Sequence, residues 1–429
     1  MSLAIIFFIT ILIFIVINIF YKKNNQKNLI KIYFFMISLC VPFSISTSII
    51  SNSIDVSYFM RINYIFIVII CFWITTINLK TFVLTKIDFL FMIFILLIIL
   101  NLLLNNNYEI GKSLELIILY LTLYLIFLIS KKLSYECKEK ILGLFSYVAI
   151  VNGVLSILQY IFGKKFLIGM WNDSILYTEG VKVTKRAIGL AGTNNSAGNL
   201  AAILFSICLY NYITKKGKKD LIALVMTIIA SILTFTRISY LAITIEIIIY
   251  FFISNWSSLK AIISKIKIIF LLIMPILVIL SMKINKIINT LFVERGNTQE
   301  YRFYQYNNII EYCSNNIKFL NGIGIGQYRA YMLNNFSLKE IDLHSELLNV
   351  LVEMGWIAFI LFLIINVMLF INAKKNANLT IQKAFIISLF VGNLICSNFN
   401  PNQYYYLNNV VYMIALCNLV KFKAINIKV

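Results

Sequence analysis

The chain has 429 residues, of which 61% are hydrophobic and 13% charged, with a mean hydropathy of +0.88. No water-soluble globular domain needs that much apolar surface, so the composition points to an integral membrane protein. The formal charge of +21 does not indicate nucleic acid, because no soluble basic module with exposed aromatics is present; it reads as loop lysines facing anionic lipid.

Apolar runs close to the roughly 20 residues needed to cross a bilayer recur from end to end. In lipid each run must satisfy its own backbone, which makes it a helix, and the short alternating segments of a barrel are missing. The expected fold is an all-α integral membrane protein, one polytopic domain over 1–429 with about 12–13 transmembrane helices. In chain order the spans fall near 3–21, 31–50, 62–79, 89–104, 113–130, 141–162, 196–213, 221–236, 238–254, 266–282, 346–370, 383–398 and 404–420. The first run, Leu3 to Tyr21, is followed by Lys22 and Lys23 rather than by a small-residue cleavage site. It therefore reads as a retained helix and not a signal peptide.

Lysine clusters mark alternate short loops: Lys22–Lys31, Lys131–Lys140, Lys215–Lys219, Lys260–Lys267 and Lys374–Lys383. The positive-inside rule makes these cytoplasmic, with the N-terminus outside and the C-terminal lysines inside. Two long connections then lie outside, at 164–195 and at 283–344, and long connections are usually functional or disordered. The second is expected to carry a short helix on the membrane surface over Gln299–Asn315. The run Asn321-Gly-Ile-Gly-Ile-Gly326 breaks it. This run is no nucleotide loop, since no strand precedes it and the lysine–serine ending is missing. Close backbone packing of Gly322, Gly324 and Gly326 is the plainer use, with sugar contact as the functional one.

The seven cysteines are scattered without a Cys-x-x-Cys pair and read as apolar packing residues. With a single histidine, a zinc, haem or iron–sulfur site is not expected. Asp342, His344 and Glu346 alternate at a helix start, a spacing that does not bring all three to one metal. No cofactor is expected.

All six arginines (61, 186, 237, 295, 302 and 329) fall on the outer side of this topology, while the lysines gather on the other. Both residue types satisfy the positive-inside rule equally, so topology does not explain the split. Arginine differs by its planar fork, which grips phosphate or carboxylate at two points and keeps its charge. An anion bound at the outer face is the functional reading, and loop salt bridges are the bland one. Arg237 sits in Leu233-Thr-Phe-Thr-Arg-Ile-Ser-Tyr240 with almost no loop to spare; charge there is functional by default, unless it snorkels to lipid phosphates. His344 is the only side chain with an unperturbed pKa suited to proton transfer near neutrality, although a lone histidine at a helix start is often just a cap.

Three motifs resemble the O-antigen ligase and O-antigen polymerase family of bacterial membrane glycosyltransferases. Arg186-Ala-Ile-Gly189 followed by Asn194-Asn195 is similar to the family's arginine–glycine–asparagine segment. Thr234-Phe-Thr-Arg237 resembles its threonine–serine–arginine signature, with Thr236 where serine is usual. Arg302, the Gly322–Gly326 run, His344-Ser-x-x-Leu and Glu353-Met-Gly355 resemble its outer loop and following helix, although asparagine is commoner after the histidine. The resemblance implies a multi-pass protein of the bacterial plasma membrane, active toward the periplasm or cell exterior. Its substrate would be an oligosaccharide on a polyprenyl diphosphate carrier, with membrane lipids and other glycan-assembly proteins as partners.

Such a transfer must stabilise a leaving diphosphate and remove a proton from an acceptor hydroxyl. On this reading Arg186, Arg237 and Arg302 hold the diphosphate without a metal, and His344 is the general base. Arg329 and Arg295 come second, Arg61 is structural, and Asn194, Asn195 and Glu353 support the site. Nine helical steps from His344 place Glu353 on the opposite face, so it would meet an arginine of another helix or orient substrate. The polymerase branch is preferred to the ligase branch, which delivers finished glycan to an acceptor such as a lipid A core. A lipid-linked oligosaccharide flippase is the rival from another class, expected to bind at the bilayer midplane, and a scaffold for glycan-assembly partners is the blandest.

Overall fold

The computed structural model describes residues 3–21, 23–42, 64–76, 84–105, 108–162, 186–253, 298–402 and 405–419. The chain opens with α1 (Leu3–Phe20), α2 (Asn24–Leu39), α3 (Tyr64–Thr76), α4 (Lys86–Leu104), α5 (Ile110–Lys132) and α6 (Tyr135–Phe162). It continues with α7 (Asn194–Lys215), α8 (Lys218–Thr234) and α9 (Arg237–Ile253). Helix α10 (Thr298–Asn308) runs on through a π-helical turn (Ile309–Cys313) and a 3-10 turn (Ser314–Asn316). Then come α11 (Tyr328–Phe336), α12 (Glu346–Met354), α13 (Trp356–Asn376), α14 (Thr380–Phe399) and α15 (Tyr406–Cys417).

No strand occurs among the described residues, and the protein is an all-α integral membrane protein. Six helices among those residues (α4, α5, α6, α7, α13 and α14) are long and apolar enough to cross a membrane, and Phe8–Phe20, Tyr64–Thr76 and Tyr406–Cys417 are shorter apolar helices. The expected span at 266–282, most of the first long connection, the start of the second, Arg61 and Arg295 lie outside the described residues.

Helix α7 is the axis of the bundle. Its membrane-length window is 83% buried, against 22% for α13, so α7 is walled by protein and α13 faces lipid. Helices α6, α8, α9, α14 and α15 pack around it. Polar side chains fasten these contacts where lipid offers no hydrophobic gain from helix association. Ser206 of α7 meets Ser388 of α14 at 2.9 Å, and Asn211 donates to the Leu142 carbonyl of α6 at 2.6 Å. At the lysine-bearing end, Lys131 of α5 pairs with Asp88, which also closes the capping box of α4 with Thr85.

One expected span is corrected. The apolar run over 346–370 is two helices, α12 and α13, broken at Gly355, whose φ is +86°. Residues with a side chain rarely adopt that conformation. A Cβ there would also sit 2.8 Å from backbone atoms of Lys318 and Asn321. The break lets carbonyls of the preceding loop satisfy the start of α13: Trp356 N–H donates to Lys318 at 3.2 Å, and Ile357 N–H to Phe319 at 3.0 Å. Those amides would otherwise be orphaned at a helix start.

Candidate functional site

Five segments meet at the end of the bundle opposite the lysine clusters: the start of α7, the α8–α9 turn, α10, the loop before α12, and the α14–α15 connection. The α8–α9 turn is very tight because Phe235 takes a left-handed conformation (φ +50°) and closes α8. Arg186 holds this turn from the side. Its Nε donates to the Thr234 carbonyl at 2.7 Å, and one terminal nitrogen reaches Thr236 Oγ1 at 3.2 Å and Asn195 Oδ1 at 3.4 Å. Ala187 N–H adds a bond to the Leu233 carbonyl at 2.8 Å, and Thr236 Oγ1 donates to the Asn194 carbonyl at 3.1 Å. The matched motifs around Arg186, Asn194–Asn195 and Thr234–Arg237 are thus one hydrogen-bonded unit, with half-buried Arg237 at the head of α9.

Arg302 projects from α10 onto the far end of α14. A terminal nitrogen donates to the Phe399 carbonyl at 3.0 Å, and the guanidinium lies 5.2 Å from the centre of the Phe399 ring. Its buried Nε has no hydrogen-bond partner, and it makes no ion pair among the described residues. Burial disfavours its charge first, and the neighbouring charge of Arg237 opposes it as well. Two arginines therefore stand within electrostatic reach of each other, an arrangement that favours an anion between them.

His344 sits in the loop before α12, half-buried. Its Nδ1 is 3.0 Å from Oε1 of Gln305, a fully buried residue one turn along α10 from Arg302. The Gln305 amide nitrogen donates to the Ile341 carbonyl at 3.2 Å, which fixes the amide with its oxygen toward the ring. An oxygen can only accept, so Nδ1 carries the proton and Nε2 carries the lone pair. Burial pushes the His344 pKa down to about 4, with the Arg302 charge adding to it and Asp342 opposing. The ring is neutral at pH 7, and Arg302 is close enough to act on it.

The loop bearing His344 is pinned at several points. Asp342 pairs with Lys112 of α5. Ser345 caps α12 by accepting from Leu348 N–H at 3.3 Å, and donates to Asn398 Oδ1 at 2.9 Å. Among the described residues no three carboxylate, cysteine or histidine side chains are grouped as a metal would need.

Glu353 and the glycine run form a separate unit beside this loop. Glu353 is 1% exposed, and its carboxylate accepts from Gly326 N–H at 2.7 Å and Tyr328 N–H at 3.1 Å. Gly322 packs so closely on the end of α12 that a Cβ would overlap the Val352 carbonyl oxygen. Asn101 of α4 joins both partners, donating to the Glu353 carbonyl at 3.1 Å and accepting from Ile325 N–H at 2.9 Å. Gly322, Gly324 and Gly326 are buried, whereas Arg329 is exposed on α11. His344 precedes α12, so the helical phase between it and Glu353 does not apply.

Sequence reasoning did not find Gln305, nor the amide cluster of the α14–α15 connection. In that cluster Asn199 of α7 donates to the Asn400 carbonyl at 2.7 Å and to Asn402 Oδ1 at 2.8 Å, while Asn398 holds the start of α12. Asparagine is common throughout this chain, so the sequence carries no contrast that singles these out.

Fold and site together define a polytopic all-α membrane protein with a cationic cluster and one neutral histidine at a single end. Residues 221–363 match the family model described as O-Antigen ligase, and over this segment the chain is of the O-antigen ligase and polymerase family. The segment runs from α8 into α13 and holds Arg237, Arg302, the glycine run, His344 and Glu353; Arg186, Asn194 and Asn195 precede it. No curated protein matches the chain.

Proposed function

We propose that the protein is a glycosyltransferase that polymerises oligosaccharide repeat units carried on polyprenyl diphosphate, at the outer face of the bacterial plasma membrane. The observation that carries this reading is the triangle of Arg237, Arg302 and His344, in which a neutral imidazole stands beside cations at one end of the bundle. The diphosphate of the donor lies between Arg237 and Arg302. Arg186 holds the turn that presents Arg237 and adds its charge, with Asn194 and Asn195 behind it. His344 Nε2 takes the proton of the acceptor hydroxyl as that oxygen bonds to the anomeric carbon. The anomeric carbon–oxygen bond breaks, and the diphosphate leaves on its lipid with its negative charge on the arginines.

Glu353 and the glycine run act as support, keeping the loop in place from below. Arg329, exposed on α11, serves as an outer contact for the glycan or its carrier. The reaction needs no metal, because the two guanidinium groups do the electrostatic work. Ligase activity is the second reading, favoured by the description of the matching family. A flippase fits less well, since the distinctive polar groups gather at one end and not along a central path.

Surface glycan from cells lacking the protein, complemented with wild type or with His344→Ala, tests the assignment. Collapse of the ladder to single repeat units means polymerase. Full-length glycan held on its carrier lipid means ligase. Normal ladders in both the deletion strain and the His344→Ala strain would remove the protein from the transfer step.

A further inference from the structure

At the end of the bundle far from His344 lies a cavity of about 650 Å³, lined by Lys131, Tyr135, Lys138, Asn378, Gln382 and Asn418 among others. Its size is that of a small-molecule or headgroup site. No aspartate or glutamate lines it. Lys131 is paired with Asp88 behind the wall, which leaves Lys138, itself 9% exposed, to set the sign of the potential. Helices α5, α13 and α15 end here while α6 and α14 begin here, so helix-terminus charges of both signs meet and largely offset one another.

Asn418 supplies a second, independent observation. It is 4% exposed, and neither its amide nitrogen nor its amide oxygen has a hydrogen-bond partner. A buried amide left open on both sides is unfavourable by about 1–3 kcal/mol for each group. The matching ligand must bring an acceptor for Nδ2 and a donor for Oδ1, with negative charge for Lys138. A phosphate that carries a hydroxyl group meets all three requirements.

We infer that this cavity binds a hydroxyl-bearing phosphate, supplied as the phosphoglycerol headgroup of an anionic phospholipid in the adjacent leaflet. Lys138 neutralises the phosphate, Asn418 Nδ2 donates to a phosphate oxygen, and Asn418 Oδ1 accepts from a glycerol hydroxyl. The end of the bundle where the cavity opens is also the one that carries the lysine clusters, which draw anionic lipid toward it. Nothing in this inference depends on the glycosyl-transfer reading.

The test is lipid retention by the full-length protein in detergent, measured by native mass spectrometry during titration with phosphatidylglycerol or phosphatidylcholine. Wild type should show saturable phosphatidylglycerol adducts and no comparable phosphatidylcholine adducts. Lys138→Gln and Asn418→Leu should each weaken the phosphatidylglycerol site roughly tenfold. Lys138→Arg and the exposed-surface control Lys374→Gln should retain it, which separates a lost ligand contact from a lost fold. Equal phosphatidylglycerol binding by wild type, Lys138→Gln and Asn418→Leu would overturn the site. Displacement of the lipid by free glycerol phosphate at micromolar concentration would overturn the lipid as its source.

Discussion

At the scale of single residues, Gln305 determines what His344 does. Its amide nitrogen is committed to the loop carbonyl of Ile341, so its oxygen faces Nδ1 and the lone pair sits on Nε2. The pKa near 4, set by burial and then by Arg302, means that the base is ready throughout the neutral range. The acid limb of the rate profile is therefore expected near pH 4, not near the ordinary histidine value of about 6.5. In residual activity of Arg302→Gln the limb should move upward, because the second cause of the depression is gone. The matching stability effect has a definite sign. Keeping the ring neutral stabilises the fold above about pH 6.5, and that contribution is lost as pH falls from there toward 4. Arg237→Lys and Arg302→Lys should each lower the rate by about 10²-fold or more, since an ammonium does not replace the fork. Rates near wild type would remove that arginine from diphosphate binding.

Among the elements, the joint between the glycine run, α12 and α13 carries the most consequence. The Glu353 carboxylate takes two loop amides, and Gly355 bends the chain so that the start of α13 takes two loop carbonyls. Glu353→Ala should destabilise the protein by about 2–3 kcal/mol by leaving those amides unsatisfied, visible as a lowered thermal midpoint in detergent. An unchanged midpoint would mean that the amides find water. The sequence showed only part of this joint. The Gly-Ile-Gly-Ile-Gly run was visible as close packing, because three glycines in five residues stand out. Gly355 was not read as a break, because an isolated glycine in an apolar run is compatible with a continuing helix. Only the loop carbonyls of Lys318 and Phe319, brought in by tertiary contact, make the break favourable.

At the scale of the whole molecule, hydropathy and the lysine pattern were enough for an all-α membrane protein, since both are set by the bilayer itself. The sequence did not show that α7 is the buried axis, because its asparagines and serines lower its apparent hydropathy while they fasten it to α6 and α14. Rare residue types, the arginines and the one histidine, directed attention to the candidate site; their partners Gln305 and Asn398 carried no such contrast. The topology predicts that a membrane-impermeant thiol reagent on intact cells labels Tyr304→Cys and Asn335→Cys but not Lys218→Cys or Lys374→Cys. The reverse pattern would invert the orientation and place the arginines inside the cell.

The central claim is that His344 deprotonates the acceptor beside an arginine-held diphosphate. The most direct test is the initial rate of glycan transfer by purified His344→Gln, measured with donor binding on the same sample. The account predicts a rate lower by about 10²–10⁴-fold with donor affinity close to wild type. A rate within a few fold of wild type would contradict it and leave the histidine as a structural residue of the loop.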